Sequence, residues 1–359
     1  MAQALPGIAP DAELTWVGTL SGMEGDLIRR EGIAFIGLPG GGLHGVALLN
    51  AVRNGWDLTR AIFVARNHIR DERPSALLTT GGFVSGPVAV AARWEGVPAL
   101  VFVPDIEPAQ SVKAIARLAQ RVAVSVPESL AYFAQGKGMV TGYPLGERVT
   151  RWTRSAGRDA LGLGPEVSVL LVFGGSRGAR SINRAVLANV EVLTKLAHVV
   201  HVTGTLDWPE IEAALGEMPN AVLERYHAYP YLHEKMGASM AAADLAVSRS
   251  GASVLGEFPH FGLPAILVPY PYAWRYQRIN AGWLAERGAA IVVEDAELAE
   301  MIVPTVERLL VDDVRRSEMA EAARKVARPD AARRAAQVLL ELGQRQGPAY
   351  HGGPVPGQG

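Results

Sequence analysis

The chain has 359 residues and no cysteine. This absence excludes disulfide bonds, thiolate nucleophiles and cysteine-ligated zinc sites, and it is compatible with a reducing cytoplasm. An excess of charge of one sign is also lacking, because 35 basic residues stand against 36 acidic ones and give a net charge of −1. Surfaces that bind nucleic acid usually carry a basic excess. We therefore expect no nucleic-acid partner.

Long apolar runs are lacking as well. No stretch approaches the ~18 to 20 apolar residues of a membrane-spanning helix. The opening sequence MAQALPGIAP also lacks the basic and then apolar segments of a secretory signal. The eight histidines show no spacing typical of metal ligands. We expect a cytoplasmic protein whose membrane contact is peripheral, with no metal and no other cofactor.

Strand-like and helix-like segments alternate along the chain, which predicts parallel sheets wrapped by helices. The predicted strands of the first half are 13–17, 34–38, 76–79, 99–103 and 121–125, with a helical region at 46–70. Those of the second half are 167–173, 198–203, 221–226, 244–248, 265–269 and 290–293. We predict an α/β fold of two Rossmann-like domains, 1–145 and 146–345, which face each other across a cleft. The last helix is expected to pack back on the first domain, and the Gly/Pro-rich tail 346–359 is expected to be disordered.

The stretch 167–183, VSVLLVFGGSRGARSIN, runs from a strand-like segment through a glycine turn into a helical pattern. Glycines let the backbone approach a ligand closely, and the free N–H groups at a helix start attract anions. We expect Gly175, Ser176, Arg177 and Gly178 to bind a nucleotide diphosphate. The alternative is a turn that only packs the strand against the helix. The turn is neither G-x-G-x-x-G nor a P-loop, which argues against a dinucleotide or ATP.

Two further segments follow strands and open helices. In 248–257, SRSGASVLGE, a carboxylate at Glu257 can accept hydrogen bonds from a ribose diol, and Ser253 is placed to cap the helix. The alternative is a surface carboxylate that stabilises a helix N-terminus. In 269–280, PYPYAWRYQRIN, the amides of Gln277 and Asn280 suit sugar hydroxyls because each amide donates and accepts. The alternative there is helix capping.

Together GGSRGARSIN, SRSGASVLGE and PYPYAWRYQRIN resemble, in order and spacing, the donor half of the MurG family. These bacterial enzymes convert lipid I to lipid II in peptidoglycan synthesis and have the GT-B fold. The resemblance implies an inverting, metal-free transfer of N-acetylglucosamine from UDP-GlcNAc to a lipid-linked muramoyl acceptor, at the cytoplasmic face of the cell membrane. Two alternatives stay open: a related transferase with another lipid acceptor, and a non-catalytic UDP-sugar-binding protein.

The resemblance also implies roles for single residues. Ser176 and its neighbours match the diphosphate turn, Glu257 the acid on the uridine ribose, and Gln277 the amide on the sugar hydroxyls. The segment from Ala252 and Ser253 to Glu257 matches the backbone that contacts the donor, and Leu232 or His233 matches the position whose backbone holds the uracil.

Three departures from the family pattern concern the acceptor side. The family's opening strand and histidine-bearing glycine loop have no counterpart, which predicts a true start some ~20 to 30 residues upstream. The HEQN-like segment becomes 102–105, FVPD, and leaves Asp105 and Glu107 as candidate bases, or else as loop carboxylates. In the altered GNPVR-like turn, Arg148 is displaced by two residues and is expected to reach the nucleotide.

A lipid acceptor requires contact with the bilayer. The helical region 46–70 interleaves apolar and basic residues, which suits an anionic membrane surface. The residues concerned are Trp56, Ile62, Phe63 and Ile69 together with Arg53, Arg60, Arg66 and Arg70. The alternative is an amphipathic helix that packs on its own sheet.

Overall fold

The computed structural model describes residues 1–20, 24–38, 48–82, 84–175, 178–272 and 275–344, with backbone alone at 24, 26–27 and 48–57. The chain forms two compact units. The first consists of Met1–Pro104, Pro108–Thr141 and the C-terminal segment from Ala332. The second consists of Asp105–Glu107 and Gly142–Ala331, so its main part begins inside the glycine-rich segment 142–166.

The first unit contains six parallel strands in two sheets. The strands are β1 Thr15–Thr19, β2 Ala34–Leu38, β3 Leu77–Thr79, β4 Ala99–Val103, β5 Arg121–Val124 and β6 Gly138–Val140. Its first helices are α1 Glu24–Arg30, α2 Leu48–Glu72, α3 Ser85–Trp94 and α4 Gln110–Leu118. Strands β1 and β2 pair with each other, and β3 to β6 form a second sheet in sequential order. Strand β4 is apolar and buried at every position, as expected for a central parallel strand.

A cavity of about 570 Å³ separates the two sheets of this unit. Thr15, Trp16 and Val17 of β1 line one side, and Leu77 and Leu78 of β3 line another. Among the described residues, β1 pairs only with β2, and β3 pairs only with β4. Both strands therefore keep one unpaired edge on the cavity.

The second unit is built on one six-stranded parallel sheet. Its strands are β7 Val169–Phe173, β8 His198–Val202, β9 Tyr226–Tyr229, β10 Leu245–Ser248, β11 Ala265–Leu267 and β12 Ala290–Val292. Their order across the sheet is β12-β11-β10-β7-β8-β9. Strand β7 lies inside the sheet and is fully apolar and buried, which explains why its sequence reads as a continuous hydrophobic run.

Helices cover the faces of this sheet. They are α5 Glu147–Thr150, α6 Arg154–Leu161, α7 Arg180–Ala188, α8 Val190–Leu196, α9 Trp208–Leu215, α10 Asn220–Leu223, α11 Met236–Ala242, α12 Val254–Phe261, α13 Tyr276–Glu286, α14 Leu298–Val311 and α15 Asp313–Lys325. The last helix, α16 Ala331–Gln344, belongs from Ala332 to the first unit. Local sequence sets their ends: Thr153 caps α6 through its hydroxyl, and Gly162 ends it in a left-handed conformation.

The prediction of a strand at 221–226 was wrong. Asn220–Leu223 is a short helix that follows Pro219, and the strand begins only at Tyr226. The tail 346–359, predicted to be disordered, lies outside the described residues. Within the described part of the chain, no helix is long and apolar enough to cross a bilayer.

Candidate donor site

The strand order of the second unit contains a switch point. From β7 the chain continues to β8 and β9 on one side of the sheet, and then returns to β10 on the other side of β7. Loops that follow two such strands diverge and leave a crevice at the carboxyl ends of the strands, where open α/β sheets bind ligands. The loops after β7 and β10 are therefore the first place to look for a ligand.

The loop after β7 is a tightly packed glycine turn. Gly175 and Gly178 have positive φ angles of 88° and 79°, and the Gly178 N–H donates to the Gly175 carbonyl at 3.0 Å. A Cβ on Gly178 would lie 2.2 Å from the carbonyl oxygen of Thr203. Only glycine fits there. Ser176 and Arg177, the tip of the predicted diphosphate site, lie outside the described residues.

A buried polar network supports this turn from below. The Asn183 amide donates to the Thr203 carbonyl and to Asp207, both at 2.9 Å, and its oxygen lies 3.0 Å from Nε2 of His201. Nδ1 of His201 lies 2.7 Å from the Tyr226 hydroxyl. This arrangement fixes a neutral tautomer, in which Nε2–H donates to Asn183 and Nδ1 accepts from tyrosine. Burial lowers the pKa of His201 to about 3.

The loop after β10 carries Ala252, Ser253 and Glu257 into α12. Glu257 is half-buried, and its backbone N–H donates to the Ser253 carbonyl at 2.9 Å. Burial raises the pKa of the Glu257 carboxyl, and a hydrogen bond from the Ser253 side chain partly offsets that rise. Glu257 is therefore more than a solvated carboxylate at a helix start. It is a partly desolvated acceptor in the first turn of α12, beside the switch point.

Tyr143 packs against this part of α12. A Cβ on Gly256 would lie 2.8 Å from the Tyr143 Cβ, so the glycine makes room for the tyrosine. Burial, followed by the negative charges of Glu257 and Asp105, raises the pKa of Tyr143 to about 12. The phenol thus stays protonated and lies within the electrostatic reach of both carboxylates.

Gln277 and Asn280, one turn apart on α13, have different environments. The Gln277 Oε1 accepts from the Tyr270 backbone N–H at 2.9 Å, and its own carbonyl accepts from the Ser250 hydroxyl at 2.8 Å. Asn280 is fully buried. Its amide donates to Asp105 at 2.8 Å and to the Ser250 carbonyl at 3.2 Å, and its oxygen accepts from the Ile106 N–H at 3.3 Å. Asn280 therefore serves protein groups, whereas Gln277 is only half-buried.

The two candidate bases also differ. Glu107 is buried, and both of its oxygens accept from the guanidinium of Arg275 at 2.6 Å in a bidentate pair. Asp105 is half-buried, and the hydrogen bond from Asn280 holds it. Burial raises the pKa of Asp105, although that hydrogen bond acts in the opposite direction.

The remaining predicted residues lie on two other segments. Leu232 is buried, and His233 has a φ of 42°, a left-handed conformation that is uncommon for a residue with a side chain. The His233 ring packs edge-on against Tyr231 at 4.6 Å between centroids. Arg148 is exposed on α5, and its backbone carbonyl accepts from the Trp152 indole at 3.1 Å.

Sequence reasoning missed one buried cluster beside the site. Arg249 follows β10 and is 9% exposed, and its guanidinium bonds Asp295 and Ser181. A charged residue directly after an apolar strand was the available signal. Its partners lie 68 and 46 residues away, so no local pattern could have identified them. In the part of the chain that the structure describes, no group of three or more acidic or histidine side chains could hold a metal ion.

Two family models match the chain. The N-terminal domain of glycosyltransferase family 28 matches residues 1–124, and the C-terminal domain of the same family matches residues 169–335. Curated relatives match over most of the chain. The protein of Roseiflexus sp. (strain RS-1) is 40% identical over 91% of this chain and 83% of its own length. The protein of Symbiobacterium thermophilum is 36% identical over 96% of this chain and 92% of its own length. Both are named UDP-N-acetylglucosamine--N-acetylmuramyl-(pentapeptide) pyrophosphoryl-undecaprenol N-acetylglucosamine transferase.

Solved structures share the fold. MurG of Acinetobacter baumannii superposes with a TM-score of 0.68 at 22% identity, covering 95% of this chain and 93% of its own. A UDP-GlcNAc 2-epimerase of Neisseria meningitidis bound to UDP-GlcNAc gives a TM-score of 0.61 at 13% identity, covering 89% of each chain. The predicted α/β fold class with two parallel-sheet domains is confirmed.

Proposed function

This chain belongs to the family of UDP-N-acetylglucosamine--N-acetylmuramyl-(pentapeptide) pyrophosphoryl-undecaprenol N-acetylglucosamine transferases, and from that premise we propose how its residues carry out the transfer. The chain is a hexosyltransferase that moves N-acetylglucosamine from UDP-GlcNAc to the lipid-linked muramoyl acceptor lipid I and forms lipid II. The observation that supports the donor site best is a juxtaposition at one sheet edge. A close-packed glycine turn, a partly desolvated Glu257 and an oriented Gln277 follow β7, β10 and β11.

Each of these groups suits one part of the donor. The glycine turn at Gly175 and Gly178 exposes backbone to the diphosphate at the start of α7. Glu257 suits the ribose diol, since a carboxylate can accept from two hydroxyls. The Gln277 side chain suits the sugar hydroxyls. We assign the uracil to the backbone at Leu232 and His233, whose left-handed φ departs from regular structure.

The reaction exchanges one bond for another. The acceptor hydroxyl oxygen bonds to the anomeric carbon, the bond from that carbon to the UDP oxygen breaks, and UDP leaves with the electron pair. Helix-start N–H groups stabilise the charge that develops on the diphosphate. The proton of the acceptor hydroxyl must pass to a base.

We assign the base to Asp105 rather than Glu107. Arg275 occupies both oxygens of Glu107, and a carboxylate so paired is a poor proton acceptor. Among the described residues, Asp105 has one hydrogen-bond partner, the Asn280 amide, and burial raises the pKa of Asp105 toward a range that suits a general base. Asn280 is then a positioning residue for Asp105.

We assign the membrane surface to a patch on α2 and α3 of the first unit. Phe63 and Trp94 are 52% and 55% exposed, and their rings lie 6.3 Å apart. The Arg66 guanidinium lies 5.7 Å from the Trp94 ring, and Arg60 is exposed on the same helix. Exposed aromatic rings among cations suit the interface of an anionic bilayer. We propose that this patch holds the chain at the membrane surface as a peripheral protein, on the cytoplasmic face.

Other predicted members of the membrane-contacting helix lie elsewhere. Ile69 packs into the core of the first unit, as the alternative of a helix packed on its own sheet requires. The side chains of Arg53 and Trp56 lie outside the described part of the structure.

The test uses purified chain with UDP-GlcNAc and lipid I, and measures UDP release and lipid II formation. Release that depends on lipid I supports the proposal. Calorimetry reports UDP-GlcNAc binding separately. If the chain binds UDP-GlcNAc and turns over with another lipid but not with lipid I, the acceptor is that other lipid. Binding without any turnover would support a non-catalytic UDP-sugar-binding protein, and an absence of binding would overturn the donor assignment.

A further inference from the structure

Arg249 is a buried cation between the ends of several elements of the second unit. It follows β10, and its Nη1 donates to the Val268 carbonyl at 3.1 Å and to the Pro269 carbonyl at 3.4 Å, just after β11. Nη1 also donates to Asp295, after β12, at 2.5 Å. Nη2 donates to the Ser181 hydroxyl, in the first turn of α7, at 2.7 Å.

The cluster closes on itself. The Ser181 hydroxyl accepts from Arg249 and donates to Asp295 at 2.7 Å, so serine, arginine and aspartate form a ring of hydrogen bonds. The guanidinium also lies 5.2 Å from the Tyr270 ring centroid. One planar fork thus fixes the loops that follow β10, β11 and β12, which a lysine with its single point charge could not do.

The loop that Arg249 holds determines how Gln277 is oriented. The Tyr270 backbone N–H donates to the Gln277 Oε1 at 2.9 Å. This N–H fixes the orientation of the Gln277 amide, because a flipped amide would place its NH₂ group against the Tyr270 N–H, with two donors facing each other. The Gln277 Nε2 has no acceptor among the described residues, so its two N–H groups are available to a ligand.

We infer that Arg249 is a positioning residue for the donor sugar: its contacts with Val268, Pro269 and Tyr270 hold the loop that fixes the Gln277 amide with its N–H groups toward the sugar. The inference rests on the proposed function, because it takes the bound sugar to be that of the UDP-sugar. It assigns Arg249 no contact with the nucleotide. The hydrogen-bonded ring with Ser181 and Asp295 compensates the buried charge of Arg249. The hydrogen bonds to the Val268 and Pro269 carbonyls hold the loop that carries the Tyr270 N–H.

The experiment compares binding of UDP-GlcNAc with binding of UDP, by calorimetry on the full chain. Arg249→Lys keeps the charge and loses the fork. We expect its affinity for UDP-GlcNAc to fall about tenfold, as for loss of one well-aligned polar contact, while its affinity for UDP stays within about twofold of wild type. General disorder of the second unit would lower the affinity for both ligands together. The ratio of the two affinities therefore distinguishes loss of Gln277 positioning from general disruption of the fold.

A double-mutant cycle adds a second readout. If Arg249 acts through Gln277, Arg249→Lys should have little further effect on UDP-GlcNAc binding in a Gln277→Ala background. The matched control is Arg278→Lys, an exposed arginine whose guanidinium pairs with Glu294 at 2.7 Å. It should leave both affinities unchanged. If Arg249→Lys does not fold, Ser181→Ala removes only one of the arginine's hydrogen bonds and should show the same selective loss, smaller in size.

Two failures are distinguishable. Wild-type chain that binds UDP but not UDP-GlcNAc would overturn the proposed donor. The second failure concerns Arg249 alone. If the wild-type chain binds both ligands, and the Arg249 variant loses affinity for both equally or for neither, the donor assignment stands but the role of Arg249 is overturned. Additive effects of Arg249→Lys and Gln277→Ala would likewise overturn it.

Discussion

At the scale of single residues, different hydrogen-bond partners give two nearby carboxylates different chemistry. Asp105 is partly desolvated and has a raised pKa, whereas both oxygens of Glu107 are occupied by Arg275. The first environment makes a proton acceptor and the second makes a structural anchor. Two carboxylates only two positions apart in the sequence thus have separate roles.

We predict that Asp105→Asn lowers kcat at least about 100-fold, as expected for loss of a general base. The acid limb of the wild-type rate profile should disappear in the variant, because the reactive form of Asp105 is deprotonated. A raised pKa also means that the folded state binds the proton more tightly than the unfolded state. Stability therefore falls as pH rises from the ordinary value of 3.8 through the raised pKa, and Asp105→Asn should flatten that decline in urea titrations.

The contrasting variant is Glu107→Gln. It should keep most of kcat and lose roughly 1 to 2 kcal/mol of stability, because the largely exposed Arg275 loses its charged partner. A larger loss of kcat in Glu107→Gln than in Asp105→Asn would contradict the assignment of the base.

His201 should dominate the acid sensitivity of the second unit. Its folded pKa is about 3 and its ordinary value is 6.5, so the unfolded state binds a proton that the folded state rejects. The stabilising contribution of neutral His201 is essentially complete above pH 6.5, and it falls as the pH decreases from 6.5 toward about 3. Between pH 7 and pH 5 the loss is about 2 kcal/mol at most. Urea titrations at pH 7 and pH 5 give the free energies of unfolding of wild type and His201→Asn. The difference between the two proteins should become smaller at pH 5, and an equal difference at both pH values would contradict the prediction.

The sequence indicated candidate site residues where a local motif carries the chemistry, and their roles stay predictions. Glu257 and Gln277 stand in motifs that follow strands, and their environments suit ligand contact. Asn280 has the same amide and the same helix, yet it is buried among protein partners. Burial depends on tertiary packing, so no spacing in the sequence could have separated the two amides.

At the scale of elements, the glycine turn after β7 depends on two glycines in left-handed conformations and on a close approach to the next strand's loop. We predict that Gly178→Ala destabilises the protein by more than about 2 kcal/mol and abolishes donor binding, because strain and a backbone clash add. Gly282→Ala is the control. Space around Gly282 is open, and alanine there should stabilise α13 by about 0.5 to 1 kcal/mol. Thermal unfolding and UDP-GlcNAc calorimetry report the two outcomes.

The aromatic patch on α2 and α3 makes a prediction about membranes. Phe63→Ser with Trp94→Ser should weaken binding to phosphatidylglycerol vesicles at least about tenfold in sedimentation assays, because both exposed rings are lost from the interface. Turnover of a detergent-solubilised acceptor should change little. Leu206→Ser, which removes an exposed apolar side chain from the second unit, should leave vesicle binding intact. Equal binding by all variants would contradict the assignment.

Element boundaries show where sequence periodicity is ambiguous. The buried run of β7 lies between a loop and a glycine turn, and its predicted and observed positions overlap closely. The run 221–223 is equally apolar, but Pro219 starts a helical turn there and Val222 is buried from that helix. A short apolar stretch fits a strand or a helix equally well, so only its neighbours in space decide.

At the scale of the whole molecule, each unit has a core of its own. The core of the second unit spans one continuous six-stranded sheet, from Leu170 and Val172 to Ile302 and Leu309. Among the described residues of the first unit, one cluster covers β4, α4 and β5 and another includes Leu38, Ala65 and Val88, and Leu77 packs against both. Each unit therefore buries apolar side chains of its own, as a compact unit requires.

The cavity between β1 and β3 then governs how the protein responds to compression. Unfolding that eliminates an internal void reduces the volume of the system, so hydrostatic pressure favours it in proportion to the void. In pressure-dependent NMR, amide signals from β1 to β3 should broaden and vanish well before those from β7 and β10. Loss of all signals at one pressure would instead indicate a single cooperative body. A cavity of about 570 Å³ beside two strand edges that are unpaired among the described residues would then make the first unit the pressure-sensitive part of this chain.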